Sequence, residues 1–161
     1  MNPEPAVSEK PARESIAAVA LIGHKQDGQT VWLARWNQKW NAYHLVAGHK
    51  LADESFRECM LRELGEELGL RENADFSLGQ SPRAHVEFVA WSDSHQVQTT
   101  YIMELFDVRL TEEAVRGMID RDPDNRWLSE AEIRAGRCND DSRVSDTMVR
   151  LLSHVGWEVA S

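Results

Sequence analysis

The sequence predicts an α+β (mixed α/β) fold in which a mixed β-sheet is covered by helices. Three features predict it: apolar, strand-like runs come first, one long amphipathic helix occupies the middle of the chain, and a second helical stripe closes it. Neither a GxGxxG turn nor a Walker glycine loop is present, so a doubly wound fold holding phosphate on a glycine-rich turn is not expected.

The elements follow in order. Residues 1–14 are polar, with Pro3, Pro5 and Pro11 and no apolar signal core, and read as a flexible lead. Residues 15–157 read as a single domain. The apolar run from Ser15 to His24, then Asp27-Gly28, then Thr30 to Trp36 predict a β-hairpin with a short turn. Residues 37–50 mix aromatics with glycine and polar side chains, which predicts a loop with a short strand around Tyr43 to Val46. A long helix is expected from Asp53 to Leu68, with Asp53 as N-cap and Gly69 as its left-handed stop. Arg83 to Trp91 and Val97 to Leu110 read as two strands joined by a polar turn. A short helix over Thr111 to Ile119 and an acidic loop from Asp120 to Asn125 come next. Ser129 and Glu132 form a capping-box pattern for a helix that Gly136 can end. The final helix, from Ser142 to Val155, sets Val144, Met148, Leu151, Leu152 and Val155 on one stripe.

At 161 residues the chain can bury about two thirds of its unfolded surface in one core. No apolar run approaches the roughly 20 residues of a membrane span, so a soluble protein with no membrane partner is expected. Cys59 and Cys138 have neither metal-ligand nor disulfide-framework spacing, which fits a cytoplasmic location. The net charge of −9 opposes binding to polynucleotides, whose affinity comes from cations neutralising phosphates. It does not oppose a small anionic substrate when a divalent metal stands between substrate and protein.

The middle helix is unusually acidic. From Asp53 to Glu72 there are seven acids against three arginines. Most charge runs are solvated faces, but the spacing here argues otherwise. With Phe56 at 0° and about 100° per residue, Met60, Leu64 and Leu68 fall at about 40°, 80° and 120°. Glu63 and Glu67 fall at about 340° and 20°, and Glu66 at about 280°. Glu67 is therefore expected within the apolar stripe, where a carboxylate is costly unless it is paired or bound to a metal. The three glutamates are also i, i+3 and i+4 neighbours, a repulsive series in an isolated helix. Three such carboxylates suit a hard divalent cation with oxygen ligands.

Gly48, Glu54, Arg62, Glu63, Leu64, Glu66, Glu67, Gly69 and Leu70 stand at every specified place of the pattern GX5EX7REUXEEXGU, with U aliphatic. In these residues the chain resembles the Nudix hydrolase family, whose box this is. The resemblance implies a Nudix fold, a mixed sheet sandwiched between helices. It also implies that Glu63, Glu66 and Glu67 ligate Mg²⁺ or Mn²⁺, that the backbone carbonyl of Ala47 completes the site, and that Arg62 orients the glutamates. From spacing alone Arg62 is equally an ordinary surface pair with Glu58 or Glu66, and one arginine can do both. Glu54 supports the ligands or compensates charge at the helix N-terminus. Many relatives begin the box with PGG, where this chain has Ala47-Gly48-His49. Only Gly48 is required by the pattern.

The activity implied is hydrolysis of the diphosphate linkage in a nucleoside diphosphate joined to another group, X, by in-line attack of a metal-activated water. The partner is then a small nucleotide derivative, and a homodimer is compatible with the family. Glu66 or Glu67 is a candidate general base. Glu87, Asp93, Glu104, Asp120, Asp122 and Asp124 are others, because several families draw the base from a later segment. Trp36, Trp40 and Tyr43 can stack on a base or simply pack. Arg35, Lys39, Lys50 and Arg83 can meet phosphates or remain solvated, and His44, His49 and His85 are structural on the ordinary reading. No subfamily signature is recognisable where His85 to Phe88 stand. Two alternatives share the fold. One is a catalytically idle nucleotide-sensing or protein-binding module, which often lacks box glutamates. The other is an isopentenyl diphosphate isomerase, which places a cysteine in the loop region, whereas Cys59 lies in the box helix. A calcium loop of EF-hand type is absent from the sequence.

Overall fold

The structure, a computed structural model, describes residues 12–160. Its strands are β1 (Arg13–Leu21), β2 (Gly23–Gln26), β3 (Gln29–Asn37), β4 (Ala42–Leu45), β5 (Ala47–His49), β6 (Phe76–Leu78), β7 (Ala84–Ser92), β8 (Val97–Leu110) and β9 (Asn125–Ser129). Its helices are α1 (Phe56–Leu68), α2 (Glu113–Asp120), α3 (Glu130–Ala135) and α4 (Asp146–Ser153).

From Ala17 to Ile22 every residue is apolar and every one is buried. A strand buried on both faces belongs in the middle of a sheet, and β1 lies between β5, to which it is antiparallel, and β8, to which it is parallel. Both β6 and β7 pair with β8. The expected hairpin between 15–24 and 30–36 is therefore corrected: the chain leaves the first sheet at Ile22, and only β2 turns back on β3. The turn itself is where expected, with Asp27 and Gly28 at φ 51° and 80°. β4 and β9 also pair with β3, giving a second sheet of four strands.

Alternation along β1 divides the apolar side chains between two clusters. Ala17, Val19 and Leu21 join Met103, Leu105 and the α4 residues Met148, Leu151 and Leu152. Ala18, Ala20 and Ile22 join Phe106, Val108 and the α1 residues Cys59, Met60 and Leu64. The result is the mixed sheet covered by helices that the sequence predicts.

Several boundaries differ from expectation. The proposed lead lies mostly outside the described residues, and Arg13 and Glu14 already belong to β1. The N-cap of α1 is Ser55 rather than Asp53, because Ser55 and Glu58 form a reciprocal capping box. Gly69 ends that helix in the left-handed conformation as expected. The last helix is shorter than read, capped by Ser145, and Val144 is buried just before it through a bridge to Tyr43. The short strands β5, β6 and β9 were not expected, since three to five residues carry little periodicity. Among the described residues, no helix is long and apolar enough to cross a membrane.

Candidate active site

The site forms where β5 meets α1. At Gly48 a Cβ would stand 1.9 Å from Cδ of Glu63, so the carboxyl group of Glu63 occupies the space a side chain would fill. This is the physical reason for glycine at the start of the box. Glu63 is buried with Cys59, Met60 and Leu64, while Glu67 is partly exposed. The wheel argument is corrected accordingly: the buried glutamate is Glu63. Phe56 and Leu68, which set the expected stripe, are only half-buried. The buried face runs from Cys59 to Leu64, an arc that contains both Glu63 and Glu67, but Glu67 lies on the last turn, where the helix is less deeply covered.

Arg62 ties the site together. Its Nη2 donates to Glu54 Oε1 at 2.7 Å and to the carbonyl of His49 at 3.0 Å, and its Nε to Glu54 Oε2 at 3.1 Å. Its Nη1 donates to Glu63 Oε1 at 2.9 Å and reaches Glu66 Oε2 at 3.3 Å. Glu54 also accepts from the Leu51 amide at 2.9 Å. The Arg62 contact and that amide hold the Glu54 carboxyl down to about 2. Burial pushes Glu63 the other way, above the usual carboxylate range, although Arg62 opposes the shift. Glu67 is held separately, accepting from Arg35 Nε at 2.9 Å, and Arg35 also bonds Asp122 at 2.7 Å and Asn125 at 3.0 Å.

Oxygen-only carboxylates are the right donors for Mg²⁺ or Mn²⁺, and the buried Glu63 is a group that a cation would stabilise in its ionised form. The geometry is nevertheless closed onto arginine. Among the described residues, no three carboxylate, imidazole or thiol groups stand so as to hold a metal ion. A site built from Glu63, Glu66 and Glu67 would therefore need their carboxylates to converge further than they do here, and a carboxylate can accept from an arginine through one oxygen while the other stays open to a cation.

Glu63, Glu67 and Arg62 line one end of a cleft of about 660 Å³, together with Ala47 and Gly48. Ser15, Ala17, Tyr101 and Met103 also line it, and the β1–β8 register sets them side by side. Trp36, Trp40 and His44 contribute from β3, β4 and the loop between them. His44 is buried, its Nδ1 paired with Ser145 Oγ at 2.8 Å and its ring 4.7 Å from that of Trp40; burial lowers its pKa to about 4, so it is neutral at physiological pH. A second cavity of about 530 Å³, lined in part by Trp32, Asp107 and Arg116, contains no box residue.

The other sequence candidates separate. None of Glu87, Asp93, Glu104, Asp120, Asp122 and Asp124 lines the cleft. Asp122 connects to Glu67 through Arg35, whereas Glu87 and Glu104 flank His85 at 2.7 and 2.8 Å. Lys50 lies over Phe56 at 5.9 Å, and Arg83 pairs with Asp107 at 3.0 Å. Tyr43 packs edge-on against Trp36. Sequence reasoning missed Arg13, Ser15, Ser92, Ser94, His95, Tyr101 and Met103 as cleft residues. No local pattern marks them, because the parallel pairing of β1 with β8 gathers them from distant segments.

The NUDIX domain profile matches residues 13–150, most of the chain, and the chain belongs to the Nudix family. No curated protein matches it at the similarity that would indicate a relative. Among solved structures it is similar to Shewanella oneidensis NrtR complexed with a 27mer DNA, with TM-score 0.60 and 16% identity, covering 86% of this chain and 58% of that one. The chain thus spans less than two thirds of NrtR. It is similar to the Caenorhabditis elegans Ap4A hydrolase, with TM-score 0.54 and 16% identity, covering 89% and 96% of the two chains. It is also similar to a NUDIX hydrolase from Nitrosomonas europaea, with TM-score 0.54 and 22% identity, covering 91% and 93%. At these identities the likeness is one of fold.

Proposed function

We propose that this protein is a divalent-metal-dependent Nudix hydrolase that cleaves the diphosphate linkage of a nucleoside diphosphate joined to another group. The observation that carries the reading is Glu63, seated in the space left by Gly48 and opening with Glu67 on a cleft of small-molecule size. Glu63, Glu66 and Glu67, with the Ala47 carbonyl, would hold Mg²⁺ or Mn²⁺. When bound, such an ion neutralises charge at phosphorus and lowers the pKa of a water. Arg62 fixes the rotamers of Glu63 and Glu54 and anchors the end of β5. Glu67, partly exposed on the cleft, is the carboxylate we assign to proton removal. Arg35, which bonds Glu67 and lines the same cleft, would be the cation placed to meet the phosphates.

A second reading, a module that binds a nucleotide without cleaving it, is favoured by one observation: each of the four glutamates that the box specifies, Glu54, Glu63, Glu66 and Glu67, is paired with an arginine. A panel of nucleoside diphosphate derivatives incubated with Mg²⁺ or Mn²⁺ separates the two. Hydrolysis of at least one compound is expected, with rates reduced about 100-fold or more in Glu66→Gln and Glu67→Gln. Equal turnover by wild type and both variants would sink the site assignment. Absence of turnover with tight, metal-independent binding would establish the module.

A further inference from the structure

We propose that the far end of the same cleft is a second anion subsite, built from Arg13, Lys39 and His95, that takes a phosphate carried by X beyond the scissile diphosphate. The inference rests on the hydrolase reading above and extends it to the substrate's other end.

The argument begins with charge. The chain has 27 acids and 18 lysines and arginines. Yet among the described residues the carboxylates lining the cleft are Glu63 and Glu67, against Arg13, Arg35, Lys39, Arg62 and three histidines. Arg35 and Arg62 are the two cations that pair with these glutamates. Among the described residues the side chain of Arg13 bonds Thr99 Oγ1, at 3.4 Å, and neither Arg13 nor Lys39 pairs with a carboxylate. Uncompensated cations that share a cleft repel one another, and an anion between them removes that cost.

Position supplies the second half. Arg13, Ser15 and Ala17 alternate along one face of β1, and all three line the cleft. Val19 is the register partner of Ala47, six residues from Arg13. That is roughly 20 Å of strand, much longer than a single diphosphate. The β7–β8 turn brings His95 to this end, one ring nitrogen paired with Ser94 Oγ at 3.0 Å. The subsite therefore selects substrates in which X bears its own phosphate, either as a monoester or as an extension of the phosphate chain.

Two substrate pairs distinguish those sources. One pair is a dinucleotide with and without a ribose 2′-phosphate; the other is a dinucleoside diphosphate against the tetraphosphate. In at least one pair the phosphate-bearing member should have a KM lower by about tenfold. Arg13→Gln/Lys39→Gln should abolish that ratio while kcat on the phosphate-free member stays at the wild-type value. The pair that responds identifies the source. An unchanged ratio in the double variant, or no preference in wild type, overturns the subsite. Calorimetric binding of the same pairs to Glu67→Gln, with and without the two glutamines, reads the preference even if no compound is hydrolysed. Failure of the hydrolase reading then remains separate from failure of the subsite.

Discussion

Arg62 shows how much of the site one side chain organises, and how unevenly its contacts are written in the sequence. Its neighbours Glu63 and Glu66 follow from helical spacing. Its bidentate hold on Glu54, eight residues back, and its bond to the His49 carbonyl depend on how the loop before α1 folds. The Arg35–Glu67 pair, 32 residues apart, was beyond reach of spacing altogether. The contact has a pH signature. Glu54 titrates at about 2 in the folded chain against an ordinary 4.5, so its contribution to stability is present above 4.5 and is lost as pH falls toward 2. Glu63 runs the opposite way: its pKa is raised, so its cost to the fold grows as pH rises above 4.5 and the group ionises. Melting temperatures between pH 4.5 and 2 should fall less steeply in Glu54→Gln than in the wild type. Parallel curves would remove Glu54 from the account.

Between elements, the close approach of β5 to α1 is the contact on which the site depends. Gly48→Ala would drive a methyl into Glu63 and should lower stability by about 1–3 kcal/mol, read by denaturant titration. In a double-mutant cycle, Glu63→Ala should relieve most of that loss, because the space under residue 48 is then empty. Additive losses would mean that residue 48 matters for backbone reasons instead. The helix itself was legible from its stripe and its stop at Gly69. Its start was not, because Asp53 and Ser55 are both favoured N-cap residues, and only the reciprocal bonds of Ser55 with Glu58 decide between them. The identity of the buried glutamate is not legible from spacing, because a wheel assigns angle but not depth.

At the scale of the whole molecule, the sequence conveyed the mixed sheet and its helical cover but not the pairing of β1 with β8, whose partners are 86 residues apart in register. That pairing has clusters packed on both faces. In hydrogen–deuterium exchange the amides of β1 and the middle of β8 should be the last to exchange, with β2 and β6 at the periphery earlier. Early exchange in β1 would contradict its central place.

Ile22 has a mechanical role in the joint between the sheets. It is the single residue between the end of the first sheet and the start of the second, and its carbonyl accepts the Leu33 amide at 2.8 Å, while Ala20 donates to Val46 at 2.8 Å. The two walls of the cleft are thus pinned together at their root, like jaws cast in one piece. Lys39 and His95 reach the cleft from loops outside both sheets, at residues 38–41 and 93–96, where Asn41 and Gln96 adopt left-handed backbone, so a bulky guest is expected to be admitted by movement of those loops rather than of the sheets.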